Sequence, residues 1–177
     1  MPTGVLINVS SVIVGGIVGG IAGKKLSAEF KTQITLIFGV CSMSMGIFTL
    51  GLMQNMPAVV FAVVIGTGLG LVLKLGKWIN HGASLMEKPI AAMAKSKEST
   101  LSQEEFVSAL TTAIVLFCAS GTGIYGSLDA GMTGDNTILI SKSILDLFTA
   151  AIFAANLGYV VSIIALPQFI IFFLLFL

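Results

Sequence analysis

The sequence predicts an all-α polytopic membrane protein with five full transmembrane helices and a partial sixth. Three observations carry that prediction. Apolar side chains make up 56% of the 177 residues and charged ones only 10%, against roughly 25% charged in a soluble domain, and mean hydropathy is +1.04. Apolar runs of about 20 residues, the length that crosses a bilayer core, recur along the chain. Eight of the nine lysines fall in two of the connections between those runs.

The first run covers 4–23. A cleaved signal peptide carries its basic residues before the apolar stretch, whereas Lys24 and Lys25 follow this one, so it is expected to stay as a helix. The second and third spans are 32–53 and 57–73, and the fourth is 106–128. The fifth is expected over 138–166, with Lys142 and Asp146 interrupting its first half. After Pro167 and Gln168 the chain reads "FIIFFLLFL", about half a span, which is expected to be the start of a sixth helix of a longer chain.

Lysine placement orients the whole. The connections 24–31 and 74–104 fall on one side under alternating topology, and lysine-rich connections are cytoplasmic. The N-terminus and the "LDAGMTGDNT" connection then face outward. Residues 1–177 form one integral membrane domain, and 76–104 is its one long polar segment. Trp78, Ile79, Leu85, Met86, Ile90 and Met93 recur there at near-helical spacing, as in an interfacial amphipathic helix, which Pro89 would kink. His81 is read as solvated. "SQEE" at 102–105 is a capping box for the fourth span. Cys41 and Cys118 lie within apolar runs as small buried side chains.

"VGGIVGG" at 14–20 aligns with "IGTGLGL" at 65–71, and "CSMSMGIF" at 41–48 with "CASGTGIY" at 118–125. A two-helix unit used twice in the same direction would produce this, as in many transporters. Gly15, Gly19 and Gly23 are two overlapping GxxxG motifs, with Gly66 and Gly70 their counterparts. Such small-residue seams seat neighbouring helices in lipid.

Chemistry is expected where polarity enters the bilayer. Asp146 lies roughly 12 Å into its span at 1.5 Å per residue, where a carboxylate costs about 2 to 3 kcal/mol on insertion scales. Lys142, one turn earlier, can pair with it, and Ser143 adjoins them. The pair is either a functional site or an internally satisfied structural ion pair. Gly121, Gly123 and Gly126 invite a break in the fourth span, whose freed backbone groups could line a cavity; close packing is the plainer reading. Asn8 and Asn156 are amides that need partners in lipid. Asp129 and Asp135, with Asn136, could hold a cation, but their spacing is not that of an EF-hand, and Asp135 or Asn136 can instead cap the fifth span.

Three blocks carry a family resemblance: "GVLINVSSVIVGGIVGG", "EEFVSALTTAIVLFCASGTGIYGSLDAGMTGD" and "ISKSILDLFTAAIFAANLG". With them the chain resembles, over essentially its whole length, the YdfK/YqgA-like family of uncharacterised bacterial membrane proteins, a domain of unknown function numbered 554. The resemblance implies further hydrophobic segments beyond 177 and transfers no catalytic residue.

No nucleophile with a matched base, metal triad or phosphate loop is present, so neither an enzyme nor a cofactor is expected. A net charge of +1 argues against nucleic acid. The expected partners are the lipid bilayer, a small solute or cation, and another copy of the chain in a homo-oligomer. The function expected is a small-solute or ion transporter of the bacterial cytoplasmic membrane, with a substrate the sequence does not name. The alternative is a non-transporting scaffold or accessory subunit packing through its glycine-rich helices.

Overall fold

The computed structural model describes residues 1–51, 53–93 and 103–177, and among them every regular element is helical. Two helices form the centre: α1, Thr3–Ala22, and α7, Thr137–Leu157. They run parallel, because Gly4 meets Asn136, 132 residues further on, and the same offset recurs from Gly15 to Leu147 and from Gly19 to Ala151. The seam is backbone on backbone. A Cβ built on Gly15 or on Gly19 would lie 2.1 Å from the carbonyl oxygen of Leu147 or of Ala151, so neither position admits a side chain.

Around this pair the remaining core is built from α5, Gln103–Cys118, α6, Gly121–Thr133, and the final helices α8, Val160–Ile163, and α9, Ala165–Phe176. One apolar cluster joins Val12 of α1, Leu110 and Phe117 of α5, Ala150 and Leu157 of α7, and Val161 and Ile164. A second joins Val5, Ala130, Leu139 and Phe172 at the other end. Three short connections set these directions. Ser120 caps α6, its Oγ accepting from Gly123 N at 3.3 Å. Gly134, at φ 80°, closes α6 in the left-handed conformation that glycine adopts freely. Gly158, at φ 76° and ψ −161°, occupies a region essentially confined to glycine and turns the chain from α7 into α8.

α2, Ala28–Leu50, and α3, Met56–Val72, lie outside this core, and α3 buries no residue. Their large side chains, among them Leu36, Ile37, Val40, Phe61 and Val64, are exposed, as lipid-facing residues are. α4, Leu75–Met93, packs Ala83 and Met86 into the core beside α5. Four stretches are long and apolar enough to cross a membrane: Thr3–Ala22, Glu29–Phe48, Glu104–Thr133 and Thr137–Leu157. The pair Met56–Val72 and Leu75–Met86, bent by 63°, makes a fifth if it counts as one span. The bend falls at Lys74, whose φ is 53°.

Several expectations are corrected. The fourth span is two helices and continues to Thr133, so most of "LDAGMTGDNT" is helical and the connection shrinks to 134–136. The fifth ends at Leu157 rather than at 166, and the final apolar helical stretch begins at Val160 rather than after Gln168. Pro167 did not separate them because it sits in the first turn of α9, where its missing N–H costs no helical bond. The segment 76–104 is not a separate surface helix at its start: α4 begins at Leu75, directly after α3. Cys41 is exposed, while Cys118 is buried. Gly66 meets nothing within 4 Å, and Gly70 meets only Leu75 Cδ1 at 3.8 Å, so neither seats another helix among the described residues. The cap expected from Ser102, and Lys95 and Lys97, lie outside the described residues.

Candidate functional site

The site is assembled from three helices at one level. Asp146 is the tenth residue of α7, a helix of 21, which places it about 13 Å from the helix start. Lys142 stands one turn before it and donates from Nζ to Asp146 Oδ2. Both are nearly closed off, with side chains 4% and 8% exposed. From α1, fully buried Asn8 donates from Nδ2 to the same oxygen at 2.9 Å. From α9, fully buried Gln168 donates from Nε2 to Asn8 Oδ1 at 2.6 Å and stands 3.5 Å from Asp146 Oδ2.

Each partner is held by its own helix. Ser11 Oγ donates to the Asn8 carbonyl at 2.6 Å, and Ser143 Oγ to the Leu139 carbonyl at 2.6 Å. Ser143 is therefore buried beside the pair but spends its hydroxyl on α7 itself. Phe172 closes another side: its ring centre is 6.0 Å from Lys142 Nζ, within cation–π range. The same ring packs on Gly123, where a Cβ would lie 2.2 Å from Phe172 Cζ. The α5–α6 interruption and the ionisable pair thus share one aromatic side chain.

Among the described residues, one buried side-chain polar atom remains unpaired, the Gln168 carbonyl oxygen Oε1. A buried acceptor left without a donor costs about 1 to 3 kcal/mol. Two charges and two amides, one of them with an unpaired oxygen, make a preformed polar cluster in an apolar surround.

The other expected residues are placed differently. Asn156 is exposed in the last turn of α7 and takes no part. The helix interruption falls at Ala119 and Ser120, before the glycines; Gly121, Gly123 and Gly126 are all inside α6, and Gly121 faces open space. Asp129 accepts from Thr133 Oγ1 at 3.2 Å at the end of α6. Asp135 Oδ1 accepts from Thr137 N at 2.8 Å and from Thr137 Oγ1 at 2.6 Å, and these bonds hold its carboxyl below the usual carboxylate range. No group of three or more His, Cys, Asp or Glu side chains comes together among the described residues. Asn136 does not cap α7 with its side chain; its Oδ1 accepts from Gly4 N at 2.8 Å and satisfies a free N–H of α1. Gln168 escaped the sequence reading. A lone amide in the largely apolar stretch Val160–Phe176 was the available signal.

The fold and site define a multi-pass helical membrane protein whose buried polar cluster joins α1 to α7 and α9. Residues 3–177 match the family model described as protein of unknown function (DUF554), and the chain belongs to that family. It is 39% identical over 171 residues to the uncharacterized protein YqgA of Escherichia coli strain K12, covering 97% of this chain and 71% of the relative. It is 25% identical over 166 residues to the uncharacterized membrane protein YdfK of Bacillus subtilis strain 168, covering 94% of this chain and 68% of the relative. No solved structure matches.

Proposed function

We propose that this chain is the core of a small-solute or ion transporter of the bacterial cytoplasmic membrane, without catalysis of its own. The observation that carries the reading is the buried Lys142–Asp146 pair, completed by Asn8 and Gln168 from two other helices near the middle of α7. An intramembrane ionisable group on a facing surface marks solute and proton paths. Asp146 is the ionisable centre, and the α5–α6 interruption is the element that moves. Orientation follows the lysines, with 24–31 and the connection between α4 and α5 cytoplasmic. The parallel course of α1 and α7 requires an odd number of crossings between them; α2 and α5–α6 supply two, and the bent α3–α4 pair supplies the third.

The test is a thermal-shift screen of the purified full-length protein in detergent against cations, amino acids, organic acids and nucleobases, followed by flux of each hit into proteoliposomes. The expected result is a compound that raises the unfolding temperature of the native protein but not of Asp146→Asn, and whose uptake the variant reduces at least tenfold. Uptake by Asp146→Asn at the native rate removes Asp146 from the role.

A second reading, a non-transporting scaffold, draws on α2 and α3. Gly39, Gly46, Gly66 and Gly68 there meet nothing within 4 Å, and small-residue faces seat partner helices in lipid. The internal repeat belongs to the same reading: if 14–20 and 65–71 are copies, Gly66 and Gly70 offer α3 as a seat for a helix from another chain. A protein that co-purifies at fixed stoichiometry and is lost in Gly66→Leu supports it.

A further inference from the structure

The orientation of two amides in the site follows from one carboxylate. Ionised Asp146 only accepts hydrogen bonds, so Asn8 must turn its Nδ2 toward it, which leaves Asn8 Oδ1 facing Gln168. Gln168 must then present Nε2, because a flipped amide would set oxygen against oxygen at 2.6 Å. The unpaired group is therefore a carbonyl oxygen, fully buried, in a site that already holds a carboxylate. The group already bound to that carboxylate is a primary ammonium, Lys142 Nζ, with the Phe172 ring 6.0 Å away. A carboxylate, an amide oxygen and an aromatic face are the chemistry that recognises an ammonium ion.

We infer that the site takes a small primary-ammonium cation, whose place at Asp146 is held in this conformation by the side chain of Lys142. This rests on the transporter reading and names its substrate class. Lys142 acts as a tethered competitor. When the solute leaves, Lys142 returns, and Asp146 never stands as a lone buried carboxylate, which is the costly state. Gln168 Oε1 is the acceptor reserved for the solute.

The experiment is calorimetric titration of the full-length protein in detergent with methylammonium chloride at constant ionic strength, with acetamide and acetate as neutral and anionic probes and sodium chloride as the control cation. Methylammonium is expected to bind the native protein, to bind Lys142→Met at least tenfold more tightly, and to bind Gln168→Leu at least tenfold more weakly. Gln168→Met, close to glutamine in length and volume, covers the case in which Gln168→Leu does not fold: it removes the acceptor and should weaken methylammonium binding as much, whereas a merely structural Gln168 leaves the affinity unchanged. Lys142→Met affinity no greater than native, or affinity indifferent to Gln168, overturns the inference. A Gln168-dependent response to acetamide, acetate or sodium alone also overturns it, while leaving transport standing. Methylammonium binding with the expected variant pattern but no flux into proteoliposomes supports the ammonium site and removes the transport reading.

Discussion

Asn8 Nδ2 lies 2.9 Å from Asp146 Oδ2, a bond between residues 138 positions apart in the chain. It crosses the seam at which α1 and α7 run parallel with their backbones in contact at Gly15 and Gly19. The close approach and the polar bond depend on each other. Large side chains along the seam would hold the helices too far apart for an asparagine to reach the carboxylate. Without the bond, the carboxylate would sit buried with less of its charge satisfied.

The ion pair should behave as a unit. Lys142→Met and Asp146→Leu each leave one buried charge and are expected to lower stability by about 3 to 5 kcal/mol. The double variant should recover at least half of the larger loss, because it removes both charges together. Chemical unfolding in mixed micelles measures the cycle. A double variant as unstable as the two singles summed would show that the two side chains do not act through each other.

Substitution along the glycine seam should separate two classes of glycine. Gly19→Ala puts a methyl against the Ala151 carbonyl, where backbone rather than a flexible side chain must yield. Overpacking of that kind costs about 1 to 3 kcal/mol. Gly66→Ala meets nothing and should gain up to about 1 kcal/mol from the better helix former. Equal effects at the two positions would contradict the packing described for α1.

How much of this was legible depended on the range of each interaction. Lys142 and Asp146 are one turn apart, so their pairing follows from local spacing alone. Asn8 could be read as a group in need of a partner, but the partner lies on another helix, and one sequence does not supply that. Asn156 misled for a geometric reason: ten residues beyond Asp146 at about 100° per residue is some 80° round the helix, off the face that carries the site. Gln168 was hidden because a proline before it reads as a terminator, whereas in a helix's first turn proline is well tolerated. The helix interruption was placed among the glycines, yet it falls at Ser120, whose hydroxyl caps the next helix.

That cap can be tested directly. Ser120→Ala removes the acceptor for Gly123 N and should cost about 1 kcal/mol, while Ser120→Asp, which keeps an acceptor, should cost less. The comparison by thermal unfolding in one detergent isolates the cap from general changes in packing. Equal losses would show that the interruption does not rely on it.

Asp135 gives a pH dependence. Thr137 donates to its carboxylate from both side chain and backbone, which lowers its pKa in the folded protein. The unfolded chain, near 3.9, therefore binds the proton first. The contribution to stability is full above about pH 5 and is lost as pH falls through the depressed folded value. Asp135→Ala should unfold at a lower temperature than the native protein at pH 6, and the gap should close between about pH 4 and the lower folded value. A gap that stays constant down to pH 2.5 would assign the effect to something other than this carboxylate.

The number of crossings can be decided by labelling. α1 and α7 run in the same direction, so the chain between them must cross the membrane an odd number of times. If α3 and α4 instead formed a re-entrant loop, α2 and α5–α6 would make only two crossings, and α7 would have to start on the side where α1 ends. That is incompatible with Gly4 meeting Asn136 while Gly19 meets Ala151. In a background with Cys41 and Cys118 replaced by serine, Lys25→Cys and Glu104→Cys should react with an impermeant maleimide from one face of sealed vesicles. Met53→Cys and Thr133→Cys should react from the other. Labelling of positions 53 and 104 from the same face would make the α3–α4 pair re-entrant and would require a different packing of α1 on α7.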